Sequence, residues 1–245
     1  MPRPPAQLRA LPLALAASFA FSVHAHDTLH EVVVTAPPMA APLTVITNPR
    51  APRQPVPAHD GADYLKNIPG FADDMARVIT ATIAGVRVIG AYFPNGQEPG
   101  SDKFAYKMRW LDALREWVRA ELAAHPKLVL LGDYNITFDD LDVWDPVGLA
   151  GTIHCTDEER THLRALIGLG LTDSYRLFAQ PEKSYSWWDY RMLGFQKNRG
   201  MRIDHILVSE ALKPLARACT IDRAPRKNPQ PSDHAPVIVT LDLPV

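Results

Sequence analysis

Leu128-Val129-Leu130-Leu131-Gly132-Asp133-Tyr134-Asn135 is an apolar run that breaks on a glycine into an acid and an amide. Four consecutive aliphatic side chains are all buried only where both faces of a strand are covered, so residues 128–131 read as a strand inside a layered fold. Upstream, Phe104, Met108, Leu111, Leu114, Val118 and Leu122 recur at spacings of three and four, an amphipathic helix that Pro126 closes. Before it, two β-branched runs over residues 77–83 and 86–92 flank Ala84-Gly85, which reads as a hairpin with a two-residue turn. Downstream, residues 156–169 read as a second helix, with Thr156 as cap and Glu159 at the capping-box position. Residues 203–208 and 237–241 read as two more buried strands. Strands and helices that mix in this way, with polar residues at several strand ends, give an α/β sandwich.

The whole chain has 245 residues, with 26 Lys and Arg against 27 Asp and Glu and a formal charge of −1. At 47% hydrophobic and 22% charged, it has the balance of a globular protein. That excludes a polybasic tail and a net acidic, aromatic-poor chain, although a local basic surface remains open. No uninterrupted interior run of about 18 apolar residues suggests a transmembrane bundle. Two cysteines, Cys155 and Cys219, make neither a disulfide framework nor a four-cysteine zinc site.

The average hides two unlike parts. Twelve of the 23 prolines lie in residues 1–70, whereas all five tryptophans lie between Trp110 and Trp188. A stretch so rich in proline and poor in aromatics buries too little apolar surface to offset its ordering entropy. Residues 1–25 read as an export signal: Arg3 and Arg9 lead an apolar segment over 11–23, and Val23-His24-Ala25 offers small residues for cleavage. Residues 26–72 are then a proline-rich, mostly disordered appendage, and residues 73–245 form the globular domain.

Three polar constellations abut the apolar strands. Gly132-Asp133-Tyr134-Asn135 follows the strand at 128–131; on its own it is equally an Asx turn. Asp204, in Met201-Arg202-Ile203-Asp204-His205, is an acid in an apolar strand, costly to bury unless paired, with Arg202 the nearest candidate partner. Ser232-Asp233-His234-Ala235-Pro236 sets an acid beside an imidazole before the last strand, as a site or as a capped turn. Taken together they offer three acids, one amide and one imidazole, a set suited to Mg²⁺ or Mn²⁺. There is no HExxH, no cysteine cluster and no phosphate-binding GxxxxGK[ST] loop. Hydrolysis at phosphorus by water, assisted by a hard cation, fits that inventory.

These segments, with Ala91-Tyr92-Phe93-Pro94-Asn95-Gly96 and Asn198-Arg199-Gly200-Met201-Arg202-Ile203-Asp204, resemble exodeoxyribonuclease III, in the AP endonuclease branch of the endonuclease/exonuclease/phosphatase superfamily. The resemblance implies a four-layered α/β sandwich that removes nucleotides from 3′ ends of double-stranded DNA and cuts at abasic sites. It implies that Asp133 orients or deprotonates the attacking water and that Asn135 holds the water or the phosphate. Tyr92 would bond the scissile phosphate or the leaving group, and Asp204 would support the site electrostatically. Asp233 would help bind the metal and would hold His234 in the tautomer that contacts the phosphate. The implied catalytic set is Tyr92, Asp133, Asn135, Asp204 and His234; the implied ligands of Mg²⁺ or Mn²⁺ are Asp133, Asn135, Asp233 and His234. Trp187 and Trp188, with Met201, would wall a pocket for a flipped-out abasic sugar. Asn198 and Arg199 would lie on a basic rim with Lys183, Arg191 and Lys197. Double-stranded DNA is the implied partner of a monomer.

The same resemblance raises expectations about the front of the chain. Relatives begin with a strand ending in Trp-Asn and another ending in Gln-Glu, and neither motif precedes Asp73. An incomplete sandwich lacking the family's N-terminal third, with impaired activity, is therefore expected. Glu31-Val32-Val33-Val34-Thr35 and the segment from Asp63 to Phe71 resemble the energy-coupling box and plug opening of a TonB-dependent outer-membrane receptor. No membrane insertion is expected with them, since a barrel needs at least eight alternating strands. A receptor fragment or a non-functional fusion product are the rival readings. The nuclease family implies the cytoplasm, whereas a working signal would send the chain to the cell envelope.

Overall fold

The protein is described from a computed structural model that covers residues 67–72, 75 and 77–243. The expected export signal and most of the proline-rich appendage lie outside the described residues.

Two β-branched segments form β1 (Val78–Ile83) and β2 (Val86–Ala91), paired antiparallel from Val78↔Ala91 to Ile83↔Val86. Their turn puts Ala84 at φ 49° and Gly85 at φ 76°. Two successive positive φ values match the strands' right-handed twist, as in a type I′ hairpin. Helix α1 (Asp102–Ala124) starts at Ser101, whose Oγ accepts a hydrogen bond from Phe104 N at 3.1 Å. The helix carries the chain back, so that β3 (Leu128–Asp133) runs parallel to β2. The chain continues through α2 (Asp157–Ile167), β4 (Leu171–Asp173) and β5 (Asp204–Ser209), then β6 (Ala216–Ile221) and β7 (Val237–Leu241). Strands in the order β1-β2-β3-β5-β4 make one sheet, and β6 with β7 makes a second.

Alternation along β3 builds both sides of the core. Leu128 and Leu130 face Ile89, Phe93, Trp110, Leu111 and Leu163 under the two α-helices. Val129 and Leu131 face Ile206, Val237, Val239 and Leu241 between the two sheets. Burying each such side chain stabilises the fold by roughly 1.5–3 kcal/mol before entropy is counted. Helix α2 is set by the expected capping box: Thr156 Oγ1 accepts from Glu159 N and Glu159 Oε2 accepts from Thr156 N, both at 3.1 Å.

The described residues supply three of the four expected layers: helices, five-stranded sheet and two-stranded sheet. The domain boundary expected at Asp73 moves forward. Ile68 is 3% exposed in the helix-side core, Trp110 Nε1 donates to Asn67 Oδ1 at 2.8 Å, and the Phe71 ring packs edge-on to Tyr106 at 5.7 Å. Residues 67–71 are thus seated on α1, because three of them bring side chains that α1 can cover.

Two features place the site. Gly132 sits at φ 143°, and a Cβ there would lie 1.9 Å from the carbonyl oxygen of Ala91. Only a hydrogen at that position lets the ends of β2 and β3 come so close. Arg202 is buried and pairs with Asp142 (2.7 Å) and Asp173 (2.8 Å), and its Nη1 lies 3.0 Å from His205 Nδ1. The expected alternative partner for Asp204 is therefore engaged elsewhere.

Candidate active site

Asp133 ends β3 and Asp204 begins β5, and in the antiparallel register they are directly opposite each other. Residues opposite in this way present side chains on the same face, so two carboxylates meet where the strands emerge. Asn135, at φ 52°, turns back onto the first of them. Its backbone N donates to Asp133 Oδ1 at 2.9 Å and its Nδ2 to Asp133 Oδ2 at 3.0 Å. Nδ2 also reaches Phe93 O at 3.2 Å, and Asn95 Nδ2 donates to Asn135 Oδ1 at 3.1 Å. The loop after β2 is thereby tied to the turn after β3. Tyr92 stands on that loop beside the turn; burial and the Asp133 charge push its phenol up.

His234 arrives from the loop before β7, its Nδ1 at 2.9 and 3.1 Å from the two oxygens of Asp204. Burial opposes charge on the ring, but Asp204 outweighs it and pushes the imidazole up to about 9. Asp133 is pushed up to about 7 by burial and by the facing Asp204 charge, which His234 partly offsets. The site at neutral pH thus holds a carboxylate near its own midpoint beside a cationic imidazole. That pairing suits a base for water and a donor for a phosphoryl oxygen.

Tyr92, Asp133, Asn135, Asp204 and His234 are therefore brought together. Other expectations change. Asp204, not Asp233, holds the imidazole; the Asp233 carboxylate accepts from Trp187 Nε1 at 3.0 Å instead. Trp188 is fully buried, edge-on to Phe195 at 5.1 Å with its Nε1 bonded to Asn198 Oδ1 at 3.2 Å, so it backs the loop and offers no surface to DNA. Met201 is also buried, its backbone exchanging 2.9 Å bonds with Trp187 while its sulfur lies 3.9 Å from Cys155 Sγ. Trp187 and Asn198 are half-buried, and Asn198 Nδ2 donates to Lys183 O at 3.0 Å. Arg199 is exposed and lies over the Trp144 ring at 4.8 Å.

For a divalent cation, the hard oxygens present are those of Asp133, Asp204 and Asn135. A cation would relieve the crowding of the two facing carboxylates, so the donor chemistry fits. The full set Asp133, Asn135, Asp233 and His234 is not closed, however. Among the described residues no three acid, histidine or cysteine side chains gather into a metal-binding group.

The sequence reading passed over the groups beneath the site. Lys107 and Glu159 are fully buried, and His154 nearby is buried as well. The available signal was a lysine inside the apolar stripe, three residues after Phe104 and four before Leu111.

Residues 26–234 match the Endonuclease/Exonuclease/phosphatase family. The chain belongs to that family. Within it, the similarities lie in the exodeoxyribonuclease III and AP endonuclease branch. An exodeoxyribonuclease of Bacillus subtilis is 31% identical over 172 residues, covering 70% of this chain and 66% of that one. Exodeoxyribonuclease III of Haemophilus influenzae is 34% identical over 180 residues, 67% and 66% of the two chains. The solved structure of a 3′-5′ exonuclease, NExo, from Neisseria meningitidis superposes with a TM-score of 0.71 at 46% identity, covering 73% of this chain and 70% of that one. An AP endonuclease from Archaeoglobus fulgidus gives 0.70 at 30% identity, with 74% and 71% covered. The chain spans about two thirds of the length of the curated relatives it matches. The family match also takes in all of residues 26–72, which composition alone sets apart from the domain.

Proposed function

We propose that the protein hydrolyses phosphoester bonds at 3′ ends and abasic sites of double-stranded DNA, as a monomer and with a divalent cation. The observation that carries this reading is the hydrogen-bonded unit of Asp133 and Asn135 facing the Asp204–His234 pair across adjacent strand ends. DNA is favoured as substrate by a relative: a Neisseria 3′ phosphatase, NExo, at 46% identity and a TM-score of 0.69, was solved bound to a product DNA hairpin.

Asp133, pushed up to about 7, takes a proton from the attacking water, and Asn135 N and Nδ2 hold its carboxylate in place. His234 holds its ring square to Asp204 through Nδ1, which leaves Nε2–H to donate to a phosphoryl oxygen as charge builds there. The Tyr92 hydroxyl, on the loop tied to Asn135, stands ready for the leaving oxygen. When bound, Mg²⁺ or Mn²⁺, held through Asp133 and Asn135, supplies charge neutralisation at phosphorus. Exposed Arg199, stacked on Trp144, supplies phosphate contacts outside the reacting centre.

The test is release of labelled nucleotide from a blunt duplex and of phosphate from a 3′-phosphorylated hairpin, with Mg²⁺, Mn²⁺ or EDTA. Release should require the ion and fall about 10²–10⁴-fold in Asp133→Asn, the range for loss of a positioned acid or base. Release that survives Asp133→Asn, or none with either ion, overturns the reading.

A further inference from the structure

Lys107 has no part in the chemistry above, yet it is one of the most enclosed side chains in the molecule. Its ammonium has three hydrogens and three acceptors: Asn135 O at 2.8 Å, Asn95 O at 3.1 Å and Glu159 Oε1 at 2.5 Å. Two of the three are main-chain carbonyls. One belongs to the loop that carries Tyr92, the other to the turn that carries Asp133 and Asn135. The Asn135 carbonyl takes a second hydrogen bond from His154 Nδ1 at 2.6 Å, and His154 N donates to Glu159 Oε1 at 3.2 Å. Helix α1 and helix α2 thus converge, through one lysine and one glutamate, on the underside of both loops.

Burying an ion pair is costly, and a well-packed apolar pair of similar volume is often as stable. Here the charge accomplishes something that a leucine would not. Asn135 stands at a left-handed φ of 52°, a region that asparagine tolerates, and in that turn its carbonyl oxygen meets the Lys107 ammonium. Lys107 grips the carbonyl of that residue and sets its height relative to Asn95, three residues after Tyr92.

We propose that Lys107 is a positioning residue: it clamps the Tyr92–Asn95 loop to the Asp133–Asn135 turn and so fixes the Tyr92 hydroxyl relative to the Asp133 carboxylate. This rests on the reading of the site as the DNA-hydrolysing centre. Misplacement of reacting groups by about 1 Å costs on the order of 100-fold in rate, and that is the loss expected when the clamp is removed.

The double substitution Lys107→Met with Glu159→Met removes the clamp without leaving a lone buried charge; Lys107→Arg keeps the charge and changes the bond directions. Two readouts are taken on each: kcat and KM for the 3′-phosphorylated hairpin, and amide hydrogen exchange over residues 95–97 and 134–137. We expect the folded double variant to lose about 100-fold in kcat with KM within about twofold, faster exchange in both segments, and partial recovery in Lys107→Arg. Unchanged kcat and exchange in a folded double variant overturn the proposal; if that variant does not fold, unchanged exchange in Lys107→Arg does so. A wild-type chain without turnover defeats the functional reading alone, since exchange still decides whether Lys107 holds the two loops.

Discussion

Asp204 decides the charge of His234, and the consequence is open to direct titration. In chelator-treated protein the His234 ring should titrate near pH 9, against an ordinary value of 6.5. Asp204→Asn should return it towards that ordinary value. Proton NMR of the ring carbons reads both, and a variant that still titrates near 9 would remove Asp204 from its place. The linkage has a definite sign. A cation favoured by the fold stabilises fully below pH 6.5, and that contribution disappears as pH rises through about 9. At this scale the sequence disclosed the site's residues but not its pairings. GDYN, RID and SDHAP were plain, whereas the choice between Asp204 and Asp233 as partner of His234 depends on the β3–β5 register. Lys107 and His154 were hidden for another reason: they hold backbone carbonyls, which leave no trace in residue identity.

Among the elements, the β1–β2 hairpin carries a visible local misfit. Ala84 occupies the first turn position at φ 49°, where a Cβ is disfavoured and asparagine is tolerated. Ala84→Asn should therefore stabilise the fold by a few tenths to about 1 kcal/mol and raise the midpoint of urea unfolding. A lowered midpoint would mean that the turn is held by something other than its own backbone preference. Five strands and both α-helices were legible because periodicity and caps agree at each of them. Two strands were not. β4 has only three residues and owes its pairing to β5, and Ala216-Arg217-Ala218-Cys219-Thr220-Ile221 has few large apolar groups in a strand that, among the described residues, pairs with β7 alone.

At the scale of the molecule, two imidazoles among the described residues are enclosed in neutral form. Burial, assisted by Arg202, pushes His205 down to about 4; burial, assisted by Lys107, does the same to His154. The unfolded chain protonates both near pH 6.5 while the folded chain does not, so stability is lost as pH falls from 6.5 towards 4. Each ring contributes about 1.4 kcal/mol per pH unit in that window. Asp133, raised to about 7, works in the opposite sense and cancels about one of the two. Urea midpoints at pH 7 and pH 5 should therefore fall with acid, and His205→Gln should flatten the difference. An acid-independent wild type would contradict it. Layering was legible in the run at 128–131, because a strand apolar on both sides demands two covers. The outer boundary was not, since Ile68 and Phe71 look like isolated apolar residues until α1 is placed beneath them.

The hydrogen on Gly132 also constrains how this protein can change. Even a methyl group there would push the end of β2 away from that of β3, and the Tyr92 loop travels with β2. In a mutagenised library screened for retained activity, codon 132 should come back as unvaried as codon 133, because the spacing of the catalytic groups is written there as an atom left out.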